Sequence, residues 1–113
     1  MTTVYGIKNC DTVKKACKWL DSNHIDYQFH DFRNEGLTQT KVKQWASLVD
    51  WETLLNRRGT TWRKLSDHEK DSINKANAIK LMTEQPTLIK RPVIEHHKKV
   101  LVGFSEDVYQ QTF

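Results

Sequence analysis

The first third of the chain alternates between strand-like and helical spacing of its apolar positions. Residues 2–7 form a short apolar run, and residues 26–32 alternate apolar and polar side chains as a half-buried strand does. Between them, Asp11 or Thr12 can cap a helix that continues to about Ser22. The apolar positions of this helix lie on one stripe: Val13, Ala16, Cys17 and Leu20. The order predicts a parallel strand pair joined by a right-handed crossover.

The middle of the chain has helical spacing and several helix-start signals. Thr38 and Asp50 can each cap a helix, and Ser66 begins a capping box, in which a serine and a glutamate satisfy each other's backbone N–H groups. Helical sequence then continues to about Gln85, and the pattern allows a break near Lys75.

The last third returns to extended spacing. Strand-like residues begin at 88–89 and resume at 93–95, a hairpin turn fits 96–99, and 100–103 can form the return strand. Ser105 can cap a final helix with acidic residues in its first turn.

The order βαβ, a helical insertion over about 37–86, and ββα is that of an α/β protein with the thioredoxin/glutaredoxin-like fold and a small mixed sheet. The 113 residues are one domain's length. We therefore expect residues 1–113 to form a single thioredoxin-like domain.

Composition and charge narrow the function classes. The chain shows no bilayer-spanning run and no signal-peptide pattern, so we expect a cytoplasmic protein without a membrane partner, whose cysteines are free thiols. A net charge of +4 suits an anionic small ligand or an acidic partner and is weak evidence for nucleic-acid binding. The two cysteines and five histidines have no metal-ligand spacing, so no metal site is expected.

Cys10 is the strongest candidate for chemistry because it lies between a strand and a helix start. Unpaired N–H groups and the helix dipole stabilise a thiolate there, and Lys8 could help while Asp11 opposes. The alternative is a small buried apolar side chain. Cys17 is assigned to the core, since its Cα should lie about 10 Å from that of Cys10, too far for a disulfide.

Two basic segments leave several interpretations open. The run from Arg57 to Lys64 fits a solvated loop, a nucleic-acid contact or an anion clamp, because arginine binds carboxylates and oxyanions in a bidentate manner. Arg91-Pro92 marks a sheet edge, a bulge or a cis turn, and a trans bond is the more common state in proteins.

Together these segments resemble a known family. Residues 5–12 (Tyr-Gly-Ile-Lys-Asn-Cys-Asp-Thr) look like the active-site start of the ArsC/Spx/YffB arsenate-reductase-like family. Residues 54–62, 88–92 and 103–106 resemble its other segments in order and position, so the likeness covers essentially the whole chain, and the YffB-type subgroup is the most similar.

The resemblance implies a thioredoxin-like fold with a helical insertion and roles for particular residues. It marks Cys10 as the redox cysteine, Arg91 as an anion-binding arginine before a cis Pro92, and Arg58 as the second arginine. In the arsenate reductases that second arginine falls nearer Asn56. Lys8 is a further candidate for anion binding.

Two departures from the family pattern bear on function. Gly103 stands where glutaredoxin-coupled arsenate reductases have a third arginine, and Val13 stands where Spx regulators have the second cysteine of a CxxC pair. The resemblance thus implies a single-cysteine reductase without a bound cofactor, with glutathione as co-substrate and glutathione or a glutaredoxin as partner. The alternatives are an Spx-like regulatory module, which by analogy would contact RNA polymerase, and arsenate reduction itself.

Overall fold

A four-stranded sheet and eight helices organise the chain. The computed structural model describes Met1–Phe113, and none of its helices is both long and apolar enough to cross a bilayer. In chain order the elements are β1 (Thr2–Gly6), α1 (Asp11–Ser22), β2 (Gln28–Asp31), α2 (Phe32–Glu35), α3 (Gln39–Leu48), α4 (Trp51–Leu54), α5 (Thr60–Arg63), α6 (Asp67–Asp71), α7 (Lys75–Glu84), a 3-10 turn (Pro86–Leu88), β3 (Val93–His96), β4 (Lys99–Val102) and α8 (Glu106–Thr112).

The chain divides into two compact units. The first comprises Met1–Glu35 and Arg91–Phe113, and the second comprises Gly36–Lys90. All four strands belong to the first unit, and α3 to α7 belong to the second. The helical insertion expected over about 37–86 falls within the second unit. That residues 1–113 form a single domain stays a prediction.

The sheet of the first unit has the strand order β2-β1-β3-β4. β1 pairs parallel with β2, as the crossover predicted, and β3 pairs antiparallel with both β1 and β4. This mixed sheet confirms the thioredoxin-like fold class. Its core is apolar and closely packed: Val4, Ala16, Leu20, Ile94 and Tyr109 are at most 1% exposed. The hydroxyl of Tyr109 donates to the Gly103 carbonyl at 2.7 Å, which ties α8 to the end of β4.

Four of the five helices of the second unit begin at a side-chain cap. Thr38, Asp50, Ser66 and Asn74 each accept a backbone N–H at a helix start, and Ser66 forms the expected capping box. The cap at Asn74 separates α6 from α7, so the break near Lys75 is present. The buried residues of this unit include Val42, Trp45, Leu54, Leu55, Ala78, Met82, Leu88 and Ile89.

Several local predictions differ from the structure. The second strand ends at Asp31 rather than at Phe32, because the Asp31 carboxylate accepts the Arg33 N–H at 2.9 Å and begins α2. The strand expected at 88–89 is a 3-10 turn followed by one bridge between Ile89 and Leu55. Part of the expected basic loop is helical, as α5.

Candidate active site around Cys10

Cys10 is itself the N-terminal cap of α1, a position predicted for Asp11 or Thr12. Its backbone is extended, with φ −140° and ψ 123°, and its carbonyl accepts the Lys14 N–H at 3.0 Å. The side chain is partly exposed. The thiol therefore lies at the N-terminus of a 12-residue helix, where free N–H groups favour a negative charge.

The surroundings of the thiol lower its pKa. Burial alone would raise the pKa of Cys10, but the backbone N–H of Val13, the hydrogen bond and charge of Arg91, and the N–H of Thr12 together outweigh it. The sulfur makes no capping hydrogen bond of full geometry, so the two N–H groups act on it mainly as nearby dipoles. Cys10 thus has the environment of a reactive cysteine.

Sheet register explains how Arg91 reaches Cys10. Tyr5 near the end of β1 lies opposite Val93 at the start of antiparallel β3, so the chain just before β3 runs beside the chain just after β1. The Arg91-Pro92 peptide bond is cis, and the Pro92 carbonyl accepts the Gly103 N–H at 2.8 Å. The sheet thereby brings together two residues that are far apart in the sequence.

Lys8 and Arg58, the other two residues expected to bind an anion, are both exposed. Lys8 is exposed in the bend before Cys10 and is not among the groups that lower the pKa of Cys10. Arg58 is exposed in the second unit, where it lines a pocket with Arg57 and Lys90. The role that the resemblance assigns to Arg58 at the cysteine stays a prediction.

Cys17 has the opposite environment to Cys10. It packs partly buried against the core of the first unit, and burial raises its pKa despite a hydrogen bond from the Tyr27 hydroxyl. Its thiolate fraction at neutral pH is accordingly small.

Gly6 is a site residue that sequence reasoning missed. A Cβ at Gly6 would lie 2.8 Å from Cγ2 of Val13, so the absence of a side chain lets the first turn of α1 pack against the end of β1. The available signal was a glycine at the junction of a strand with a helix, where such close approach is common.

Gly103 has a backbone conformation that disfavours other residues. Its φ is +80°, in the left-handed region, although nothing lies within 4 Å of a Cβ added there. An arginine at this position would have space but would strain the backbone. No group of three or more metal-ligating side chains is assembled in the structure.

Comparisons with known proteins identify the family of the chain. The ArsC family model matches residues 5–112. An uncharacterised protein of Haemophilus influenzae is 49% identical over 113 residues, which cover 100% of this chain and 99% of that protein. The global transcriptional regulator Spx of Lactiplantibacillus plantarum is 30% identical over 110 residues, 95% of this chain and 82% of Spx. A solved YffB protein superposes with a TM-score of 0.96 at 45% identity, covering 99% of this chain and 98% of that one.

These matches confirm the predicted ArsC/Spx/YffB likeness over nearly the full length. With Cys10 at the start of α1 and Arg91 beside it, the chain belongs to the ArsC family.

Proposed function

We propose that this protein is a single-cysteine thiol reductase that uses glutathione as its co-substrate. The observation that carries the proposal is the pairing of Cys10, at the N-terminus of α1, with the guanidinium of Arg91. Stabilising the thiolate in this way increases its fraction at neutral pH, and it is the thiolate that attacks a disulfide.

The proposed cycle has two exchange steps. In the first, the Cys10 thiolate attacks the glutathione sulfur of a glutathionylated substrate; a Cys10–glutathione disulfide forms, the substrate S–S bond breaks, and the substrate leaves as a thiolate that takes a proton from water. In the second, the thiolate of a free glutathione attacks the glutathione sulfur of that mixed disulfide. Oxidised glutathione forms, and Cys10 leaves as a thiolate. The substrate is reduced and two glutathione units become one disulfide. A glutaredoxin thiol could replace glutathione in the second step.

An external thiol is needed because the chain offers no suitable second cysteine. Cys17 is the only other one, its thiol has a raised pKa, and two turns of helix separate it from Cys10. Residue 13, where a CxxC motif would have its second thiol, is a buried valine.

Mass spectrometry with oxidised glutathione tests the proposal. The unmodified protein should gain one glutathionyl group, located at Cys10 by peptide mapping, and reduced glutathione should remove it. Cys17→Ser should behave like the unmodified protein, and Cys10→Ser should gain nothing. An adduct confined to Cys17, or no adduct at all, would exclude Cys10 as the reacting thiol.

A regulatory role is the second candidate, favoured by the 30% identity with Spx over 95% of this chain. As a docking module the protein would bind RNA polymerase through its surface and would not need glutathione turnover. Purified RNA polymerase that retains both the unmodified protein and Cys10→Ser would support this role, and failure to bind either would rule it out.

A further inference from the structure

The second unit contains a basic pocket, which includes Arg58 and to which the two proposed exchange steps assign no role. Its volume is about 360 Å³, which is at the small end of ligand sites. Three cationic side chains, one carboxylate, one amide and one apolar side chain form its lining: Arg57, Arg58, Lys90, Glu52, Asn56 and Leu55.

Backbone hydrogen bonds hold the two segments that carry the cations side by side. The Asn56 N–H donates to the Leu88 carbonyl, and the Lys90 N–H donates to the Leu54 carbonyl, each at 2.7 Å. Paired backbone therefore fixes the segment of Lys90 beside the segment that leads into the two arginines.

Local contacts also hold the arginines. The Arg58 N–H donates to Oδ1 of Asn56 at 3.1 Å, and Nη2 of Arg63 donates to the Arg58 carbonyl at 3.1 Å. The Arg57 guanidinium lies 5.5 Å from the centre of the Trp62 ring. Stacking occupies the face of a guanidinium and leaves its N–H edge available to an anion.

The charges of the pocket are not satisfied within it. None of its four charged side chains forms an ion pair, although three of them are cations lining the same small volume. Three cations beside one carboxylate leave the pocket with a net positive charge, which bound carboxylate groups would offset.

We propose that this pocket binds a small amino dicarboxylate. Its two carboxylates would lie on Arg57, Arg58 and Lys90, and its ammonium group would face Glu52. The pocket's three positive charges and one negative charge are complementary in sign to a ligand with two carboxylates and one ammonium group. Glu52 disfavours a compact dianion such as phosphate, which has no cationic group to offer it.

Free glutamate and the tripeptide glutathione both carry two carboxylates and one ammonium group. The site requires no reaction at Cys10, so it does not depend on the proposed reductase activity. An unreactive thioether, S-methylglutathione, separates the two questions because it cannot exchange with a thiol.

The test is titration of the reduced full-length protein with each ligand, with binding measured by calorimetry and by changes in amide chemical shifts. Glutamate, S-methylglutathione, succinate and inorganic phosphate are compared. We expect saturable binding of glutamate, S-methylglutathione or both, with shifts centred on the pocket residues and phosphate the weaker ligand. The stronger of the first two identifies the source of the amino dicarboxylate.

Variants make the assignment specific. Arg58→Gln and Lys90→Gln should each weaken binding about tenfold, since each removes one charge-assisted contact. Lys80→Gln, at an exposed position of α7 in the same unit and outside this pocket, should leave binding unchanged. Glu52→Gln should weaken binding of the amino dicarboxylates but not of succinate, which lacks an ammonium group.

Several results would overturn the proposal. These are absence of saturable binding by the amino dicarboxylates, tighter binding of phosphate than of glutamate and S-methylglutathione, or unchanged affinity in Arg58→Gln. Binding of S-methylglutathione together with no adduct at Cys10 would retain the pocket and reject the reductase.

Discussion

Replacing Arg91 with glutamine should raise the pKa of Cys10 and reduce its reactivity at neutral pH. The substitution removes the guanidinium charge and its hydrogen bond to the sulfur, both of which lower that pKa. A hydrogen bond from a charged donor contributes about 1.5–3 kcal/mol. Because Cys10 is partly exposed, solvent screening favours the lower end of this range, about 1.5 kcal/mol, so the thiolate population at neutral pH should fall about tenfold.

The rate of iodoacetamide alkylation as a function of pH measures the effect, with intact mass reporting Cys10 modification. The midpoint of the rate profile should move to higher pH in Arg91→Gln, and the alkylation rate near neutral pH should fall about tenfold. Arg91→Lys, which keeps the charge but not the planar donor geometry, should give an intermediate midpoint. Lys8→Gln is the matched control, since it removes an exposed charge near Cys10 that does not contribute to the lowered pKa. If Arg91→Gln retains its circular dichroism spectrum and its midpoint equals that of Lys8→Gln, Arg91 does not stabilise the thiolate.

Four further outcomes are expected. Cys17 should alkylate more slowly than Cys10 near neutral pH, because burial raises the pKa of its thiol, and peptide mapping that finds equal rates would contradict this. Val13→Cys should form a disulfide with Cys10 under oxidising conditions, because residues three apart in the first turn of a helix have Cα atoms about 5–6 Å apart; a non-reduced mass without loss of two hydrogens would argue against it. The unmodified protein should reduce arsenate poorly with glutathione and glutaredoxin. Gly103→Arg should lower the free energy of unfolding by about 1 kcal/mol, because the φ of Gly103 is +80°. Efficient arsenate turnover that Cys10→Ser abolishes would refute the first of these two predictions. Unchanged thermal stability in Gly103→Arg would refute the second.

Features of the fold that depend on neighbouring residues were predictable from the sequence. The caps at Thr38, Asp50 and Ser66 were anticipated because a side-chain oxygen a few residues before a free N–H determines each of them. The apolar stripe of α1 was predictable for the same reason, since 3.6-residue periodicity is a local property.

Features that depend on competing local chemistry, or on pairing between distant segments, were not predictable from the sequence. The alternation of residues 26–32 predicted a strand through Phe32, but the Asp31 carboxylate caps α2 and ends the strand first. Leu88 looked strand-like because it is apolar, yet the 3-10 turn that begins at Pro86 contains it. The pattern of apolar and polar residues does not show whether the strand or the competing helix or turn has the lower free energy.

The candidate site also has one feature that could be predicted from local sequence and one that could not. The position of Cys10 at a helix start followed from the pattern, whereas the contact with Arg91 depends on the pairing of β1 with β3. From the sequence, only the family resemblance placed these two residues together. The sequence likewise did not indicate that Arg57 and Lys90 line one pocket, because that depends on the bridge between Leu55 and Ile89, which aligns their segments.

The lowered pKa of Cys10 matters more for the second step of the proposed cycle than for the first. A thiolate of low pKa is a weaker nucleophile per molecule, so its gain in attack comes only from its larger population at neutral pH. In the second step Cys10 is the leaving group, and a low pKa directly accelerates its departure. Position 13 is filled by a valine that packs against Gly6, and Cys17 has a raised pKa, so no internal thiol competes for the mixed disulfide. The same N–H groups and guanidinium that create the nucleophile therefore favour its release by a thiol from outside the chain.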